Sequence, residues 1–368
     1  MSSSKNIIIC LFICFVFIMQ VEAREMTSSA KRILKFLSDS STSSPLLGHQ
    51  DALLYGQNWW IGNNDSLYEK SDVYDVSGQY PFILGLDLSM IENGTIKNFD
   101  GCLFRQMKEA AIVHYKRGGI VTISWHMFNP LTGGNAWDKS RSDVVYQILT
   151  NDSIKKTFFL WLDRGAEFMN QLEDENGQKI PILFRPFHEC NIKSFWWSGN
   201  MCTDKEYVNL WKLVYDYYVN KKKMNQLLWV YSPYNIQTRT EIHSKYPGNK
   251  YVDIIGYERY QLGAKTYQDG AKRFVEGVSK GLDVTISYAK KRKKIVAFTE
   301  CGFPGIPYDK WWTDALGKAI EGKSISYLLL WRNGVSKNRY HAPCPISKSN
   351  SNFFKFVKMC KIQMLEAK

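Results

Sequence analysis

At 368 residues the chain has room for one large domain or two average ones, and its 45% hydrophobic content can bury a sizeable core. The net charge of +13 comes from Lys and Arg spread along the chain, apart from short clusters at Lys221-Lys222-Lys223 and Lys290-Lys291-Arg292-Lys293-Lys294. No nucleic-acid-binding motif accompanies that charge, the cysteine spacings do not make a zinc site, and no cofactor motif is visible. A solvated basic surface is the expected reading, with a polyanion- or membrane-surface role as the distant alternative.

The first 23 residues read as a signal peptide. Lys5 supplies a positive start, Ile7 to Met19 is a continuous apolar run, and Val21-Glu22-Ala23 offers small residues for cleavage. The run is short for a membrane span, so a secreted mature chain starting near Arg24 is expected rather than an anchored one. Removing this segment takes away Cys10 and Cys14 and leaves Cys102, Cys190, Cys202, Cys301, Cys344 and Cys360. An even set in a secreted chain favours disulfides, with Cys190–Cys202 and Cys344–Cys360 the preferred pairs. Sequons begin at Asn64, Asn93 and Asn151.

A short amphipathic helix is expected over Thr27 to Leu37, and a Ser/Thr-rich linker over Ser38 to Ser44, so that 24–44 precede the main domain at 45–368. Strand-like runs follow at Leu46-Leu47-Gly48, Phe82 to Leu86, Ile120 to Ser124, Ile182 to Phe184, Leu227 to Tyr231, Val252 to Gly256, Ile295 to Phe298 and Ser324 to Leu330. Helical patterns separate most of them: Arg105 to Lys116, helices over 140–172, Glu206 to Tyr218, and Ala271 to Lys290. A last helix spans Asn352 to Leu365. Strands alternating with helices, without hairpin signals between them, give a parallel sheet. Eight such units close into a (β/α)8 TIM barrel in a single domain. A doubly wound open sheet is the structural alternative, but the Gly-rich turn it normally shows after its first strand is absent.

In a barrel, polar residues at the C-terminal strand ends face one site. Here these are His49, Asp87, Trp125, His126, Arg185, His188, Glu189, Tyr260, Glu300, Trp331 and Arg332. Glu189 follows an apolar run and Pro186, with Phe184, Phe187, Phe195, Trp196 and Trp197 close in sequence. Apolar rings disfavour an ionised carboxyl, which suits a general acid. Glu300 ends a second apolar run before the turn-permissive Gly302. Two carboxylates facing each other across one cleft are what glycoside hydrolysis needs, and the 12 Trp suit walls that stack on sugar rings. A non-catalytic carbohydrate-binding barrel would use the same rings but has no need of both carboxylates.

At these residues the sequence resembles glycoside hydrolase family 26, over roughly residues 30–365. The most specific motif is Arg185-Pro186-Phe187-His188-Glu189, with His rather than Asn before the acid/base. Gly48-His49-Gln50, Ser124-Trp125-His126, Gly256-Tyr257-Glu258-Arg259-Tyr260, the Phe195-Trp196-Trp197 loop and Thr299-Glu300-Cys301-Gly302 are also similar to that family. Cys190, where Asn is expected, is a departure. The resemblance implies a retaining hydrolase with Glu189 as acid/base, Glu300 as nucleophile, and no metal or cofactor. His188 would contact the nucleophile or the sugar's 2-hydroxyl, and Tyr260 would hold Glu300. Trp331 would floor the cleavage site, and His126 and Arg332 would bind hydroxyls on the glycone side. Trp196 or Trp197 would line nearby subsites. A polysaccharide substrate is implied, β-1,4-mannan first and mixed-linkage β-glucan or β-1,3-xylan as alternatives. The enzyme is expected to act as a monomer without nucleic-acid or membrane partners. The retaining geometry calls for a carboxyl separation of roughly 5–5.5 Å.

Overall fold

Eight short apolar strands pair in parallel, each with its sequence neighbour, and the first pairs with the last to close a barrel. The computed structural model describes residues 24–41, 44–62, 68–336 and 339–367. Its barrel strands are β1 (Leu46–Gln50), β2 (Ile83–Asp87), β3 (Ile120–Ser124), β4 (Ile182–Arg185), β5 (Leu227–Tyr231), β6 (Ile254–Tyr260), β7 (Ile295–Gly302) and β8 (Tyr327–Leu330). Closure rules out the open doubly wound sheet. The expected signal segment and the Asn64 sequon lie outside the described residues.

The alternation of side chains along each strand separates two apolar layers. Leu46, Ile83, Ile120, Leu183, Leu228, Ile254, Ala297 and Tyr327 belong to one buried cluster, which helix α1 (Ser28–Ser40) joins through Ala30 and Leu37. Residues one step on, such as Leu47, Leu84, Val121, Ile255 and Leu328, belong to the larger cluster shared with the outer helices. The first cluster holds residues from the N-terminal ends of the strands, so α1 stoppers that end. Thr27 caps α1 by accepting from the Ala30 amide, and Arg24 ties its approach to Asp253 at 3.1 Å and to the Leu227 carbonyl at 2.6 Å.

Several boundaries move. Helix α1 runs to Ser40, shortening the expected linker. β6 and β7 continue past their apolar runs to Tyr260 and Gly302, because Glu258 and Glu300 are register partners in one ladder. Short helices at Asp72–Ser77 and Arg239–Ser244 have no counterpart in the expected pattern, nor has the helical stretch from Trp312 to Ile320 before β8. The last helix spans Asn350–Cys360 and stops at Lys361, which is left-handed at φ 52°. The expected disulfides are not formed: all six cysteines are free. Cys190 Sγ lies 3.7 Å from the Tyr231 hydroxyl, whereas Cys202 Sγ faces the Trp197 carbonyl at 3.3 Å. Cys344 is buried, and Cys360 Sγ turns to the Gly317 carbonyl at 3.7 Å. Among the described residues no helix is long and apolar enough to cross a membrane.

Candidate active site

The carboxylates predicted at the ends of β4 and β7 meet at the C-terminal mouth of the barrel, and each is aimed by a local departure from regular structure. After β4 the backbone turns through two left-handed residues, Phe187 at φ 49° and Glu189 at φ 52°. Non-glycine residues pay of order 1–2 kcal/mol each for that conformation, so it must be held. The Tyr207 hydroxyl donates to the Phe187 carbonyl at 2.9 Å, and the Trp197 indole to the His188 carbonyl at 3.0 Å. The Glu189 amide donates to the Ser232 carbonyl, at the end of β5, at 2.8 Å.

Glu300 lies within β7, where the register against β6 slips between Phe298 and Glu300. The slip is a β-bulge at Thr299, a device that re-aims a side chain at a barrel rim. Thr299 hydrogen-bonds Ser232, which in turn donates to Glu258 at 2.6 Å. Gly256 leaves room for this: a Cβ there would sit 2.5 Å from both the Ser232 and Thr299 hydroxyl oxygens.

Glu189, Glu258 and Glu300 each offer an oxygen, all within 4.8 Å of one another. Among the described residues they are the one group of three or more acidic, His or Cys side chains near enough to share a metal ion. The protein supplies its own cation there. Buried Arg185 donates to Glu300 Oε2 at 2.8 Å and pairs with Glu258 through its other terminal nitrogen. Tyr260 donates to Glu300 Oε1 at 2.6 Å. Both Glu300 oxygens are thus fixed by donors. Glu189 stands differently. Burial first, then the Glu258 and Glu300 charges, push its carboxyl well above the usual range, against Arg185 and a hydrogen bond with Ser194. The two carboxyls thus differ in kind: Glu300 has each oxygen held by a donor, whereas Glu189 is favoured in its protonated form.

The other predicted residues divide. His188 is buried, and its ring packs edge-on to His126 at 4.7 Å. Burial, then Arg185 and His126, hold it well below its ordinary value, so it is neutral. Glu300 is held by Arg185 and Tyr260, and the resemblance implies for His188 a contact with either that carboxylate or the sugar's 2-hydroxyl. His126 Nδ1 meets Asp87 at 2.8 Å. Burial pulls His126 down, but the Asp87 carboxylate more than offsets it and raises the imidazole above its ordinary value. Trp331 is half-buried at the end of β8, its ring 6.2 Å from that of His126. Arg332 pairs with Asp100 at 2.9 Å, near Asp51 and Tyr55. Of the remaining strand-end candidates, Trp125 is buried against Glu92, and His49 is buried with neither ring nitrogen hydrogen-bonded.

Trp196 and Trp197 do not line the cleft. Both are fully buried, and their indole nitrogens are spent on the Met127 and His188 carbonyls at 2.9 and 3.0 Å. A loop doublet carries no periodicity to show which way a ring faces; here both rings support the turn that bears Glu189. The open rings are ones the strand-end rule passes over. Trp137, 44% exposed, stacks on His126 at 5.3 Å and 21°, with Phe99 edge-on to it at 5.6 Å. Trp60, 41% exposed, stacks on Tyr55 at 4.9 Å. His341 packs on Tyr260 at 5.8 Å and bonds the Arg332 carbonyl.

The family model described as glycosyl hydrolase family 26 matches residues 22–296. A mannan endo-1,4-β-mannosidase of Bifidobacterium adolescentis is 31% identical over 69% of this chain, and one of Bacillus subtilis is 31% identical over 53%. This chain spans 26% and 54% of their respective lengths. Among solved structures, a GH26 β-mannanase from Bacteroides ovatus matches with a TM-score of 0.86 at 34% identity, covering 93% of this chain and 96% of that one. The catalytic domain of a Bacillus sp. JAMB-750 GH26 endo-β-1,4-mannanase matches with a TM-score of 0.82 at 29% identity, covering 93% of each. With the barrel, the paired glutamates and these matches together, the chain belongs to glycosyl hydrolase family 26.

Proposed function

We propose that the protein is a secreted, retaining endo-β-1,4-mannanase that cleaves internal bonds of mannan, galactomannan or glucomannan. The observation that carries the mechanism is the spacing of Glu189 and Glu300, whose oxygens approach within 4.8 Å. Inverting enzymes hold their carboxyls about 6.5–9.5 Å apart to admit a water, and retaining ones about 5–5.5 Å. In the first step a Glu300 oxygen attacks the anomeric carbon while Glu189 gives its proton to the departing glycosidic oxygen. In the second, Glu189, now ionised, takes a proton from water, which attacks the anomeric carbon and frees Glu300. Tyr260 and Arg185 keep the nucleophile oriented through both steps, and Trp331 lies beside the reacting sugar. Trp137, exposed and stacked on His126, offers a ring on which a neighbouring sugar can pack. The mannan preference is supported by the named activities of the relatives, and secretion by the character of residues 1–23.

Reducing-sugar release from linear mannan, mixed-linkage β-glucan and β-1,3-xylan, measured side by side, tests the substrate. Release from mannan, with the β-anomer as first product in proton NMR, is expected. Release confined to another polymer would overturn the substrate reading, an α-anomer the retaining mechanism, and no release from any the enzymatic reading itself.

A further inference from the structure

Glu92 is a buried carboxyl that the hydrolytic steps do not use. It stands on a single turn, Ile91–Asn93, that follows β2, and its side chain is fully enclosed. The turn is entered through Met90, left-handed at φ 70°, a conformation that costs a non-glycine residue of order 1–2 kcal/mol. The Thr95 hydroxyl holds it by donating to the Met90 carbonyl at 2.9 Å, and Arg164 donates to the Glu92 carbonyl.

Both Glu92 side-chain oxygens accept from the segment that follows β3. The Trp125 indole donates to Oε2 at 3.0 Å, and the Phe128 amide donates to Oε1. These two donors bracket His126, whose ring stacks on Trp137. The Trp125 ring lies over Gly165 of the helix Asp152–Asn170, where a Cβ would come within 2.7 Å of it. A second tie comes from Trp196, which donates its amide to the Ala136 carbonyl at 3.1 Å and its indole to the Met127 carbonyl at 2.9 Å. The loop that carries His126 and Trp137 is thus gripped by Glu92 at its start and by Trp196 near both ends.

Packing alone does not account for a carboxyl in this place. Burial pushes it up to about 7, against the hydrogen bonds from Phe128 and Trp125. At neutral pH the carboxyl of the unfolded chain is ionised, so enclosing Glu92 costs stability. An ionised carboxylate can, however, accept two N–H donors from diverging directions, one on each oxygen.

We propose that Glu92 is a positioning residue for substrate binding, clamping the loop after β3 so that His126 and Trp137 form a fixed wall against the sugar chain. The inference rests on the mannanase reading above. Asp87 orients the His126 ring itself at 2.8 Å, and Glu92 fixes the backbone and ring on either side of it.

The test compares the native protein with Glu92→Gln, which keeps one acceptor oxygen and turns an NH2 group toward the other donor. Read without substrate, hydrogen exchange at the Trp125 indole and the Phe128 amide should speed up about tenfold or more, with circular dichroism unchanged. With mannohexaose, KM should rise about tenfold while kcat stays within about threefold, because Glu189 and Glu300 keep their partners. In a His126→Ala background the same substitution should add little further loss in kcat/KM, since the group it positions is gone. Trp125→Phe, which deletes the indole N–H and leaves a ring over Gly165, should repeat the rise in KM and replaces Glu92→Gln if that variant does not fold. Three outcomes would each overturn the proposal: an unchanged KM beside faster exchange, a fall in kcat as large as the rise in KM, or fully additive losses with His126→Ala. Unchanged exchange overturns the clamp whether or not the native protein cleaves mannohexaose, whereas a native protein that leaves mannohexaose intact overturns the mannanase reading instead.

Discussion

Glu189 and Glu300 are the same residue at the ends of two parallel strands in one mouth, yet their surroundings make them different reagents. Glu300 sits inside a strand, aimed by a bulge, with one oxygen taken by Tyr260 at 2.6 Å and the other by Arg185 at 2.8 Å. Glu189 stands past the end of its strand on a strained turn, close to two other carboxylates, and holds its proton. The difference shows that donors and neighbouring charges, rather than residue type, set which carboxyl keeps its proton, and the proposed division into acid and nucleophile rests on it.

The largest effect expected is loss of each carboxyl. Glu189→Ala and Glu300→Ala should each lower mannan hydrolysis by roughly a thousandfold or more. The comparison is sharpened by a substrate with a dinitrophenolate leaving group, which needs no proton. Glu189→Ala should form the glycosyl-enzyme from it in a rapid burst, whereas Glu300→Ala should not react; a burst from Glu300→Ala would reverse the assignment. Next comes Arg185, the cation both Glu258 and Glu300 share. Arg185→Met leaves buried carboxylates unpaired and should cost about 3–5 kcal/mol in denaturant unfolding at pH 7. A loss of activity with unchanged stability would make Arg185 a substrate contact instead.

Tyr260→Phe removes one donor from the nucleophile but no bulk. It should lower kcat by about a hundredfold with KM little changed, and a rise confined to KM would point to a sugar contact. The smallest effect is on pH dependence. Glu189 must be protonated for the first step, so kcat/KM falls as pH rises through its raised value. Glu258→Gln removes one of the negative charges that raise it, so the alkaline limb should move to lower pH. A limb that stays put would show that another group sets it.

What could be read from sequence follows from where side chains are buried. Strands of a parallel barrel are covered on both faces and so stand out as unbroken apolar runs, which is why Ile120 to Ser124 and Leu227 to Tyr231 match the structure residue for residue. The same rule stops too early at β6 and β7, since it ends a strand at its first polar residue while the ladder carries Glu258 and Glu300 onward. The two glutamates were visible because each follows such a run. Arg185 as the bridge between Glu258 and Glu300 was not, because it depends on which of several strand-end acids the closed barrel brings beside it. Trp137 lies in a long loop, where its exposure depends on the path of the chain, and the same ignorance put Trp196 and Trp197 on the wrong side of the turn.

The stopper helix has a consequence for the order in which the molecule is made. Its apolar face packs into a layer with contributions from Leu46 in the first strand to Tyr327 and Leu329 in the last. Helix α1 precedes every barrel strand in the chain, yet its complete seat exists only once the eighth strand has closed the ring. Contacts of such long sequence separation form late and slowly. In pulse-labelled hydrogen exchange during refolding, the amides of Ser28–Ser40 should gain protection after those of β3 to β5. Protection of that helix ahead of the strands would show that it folds on its own and waits.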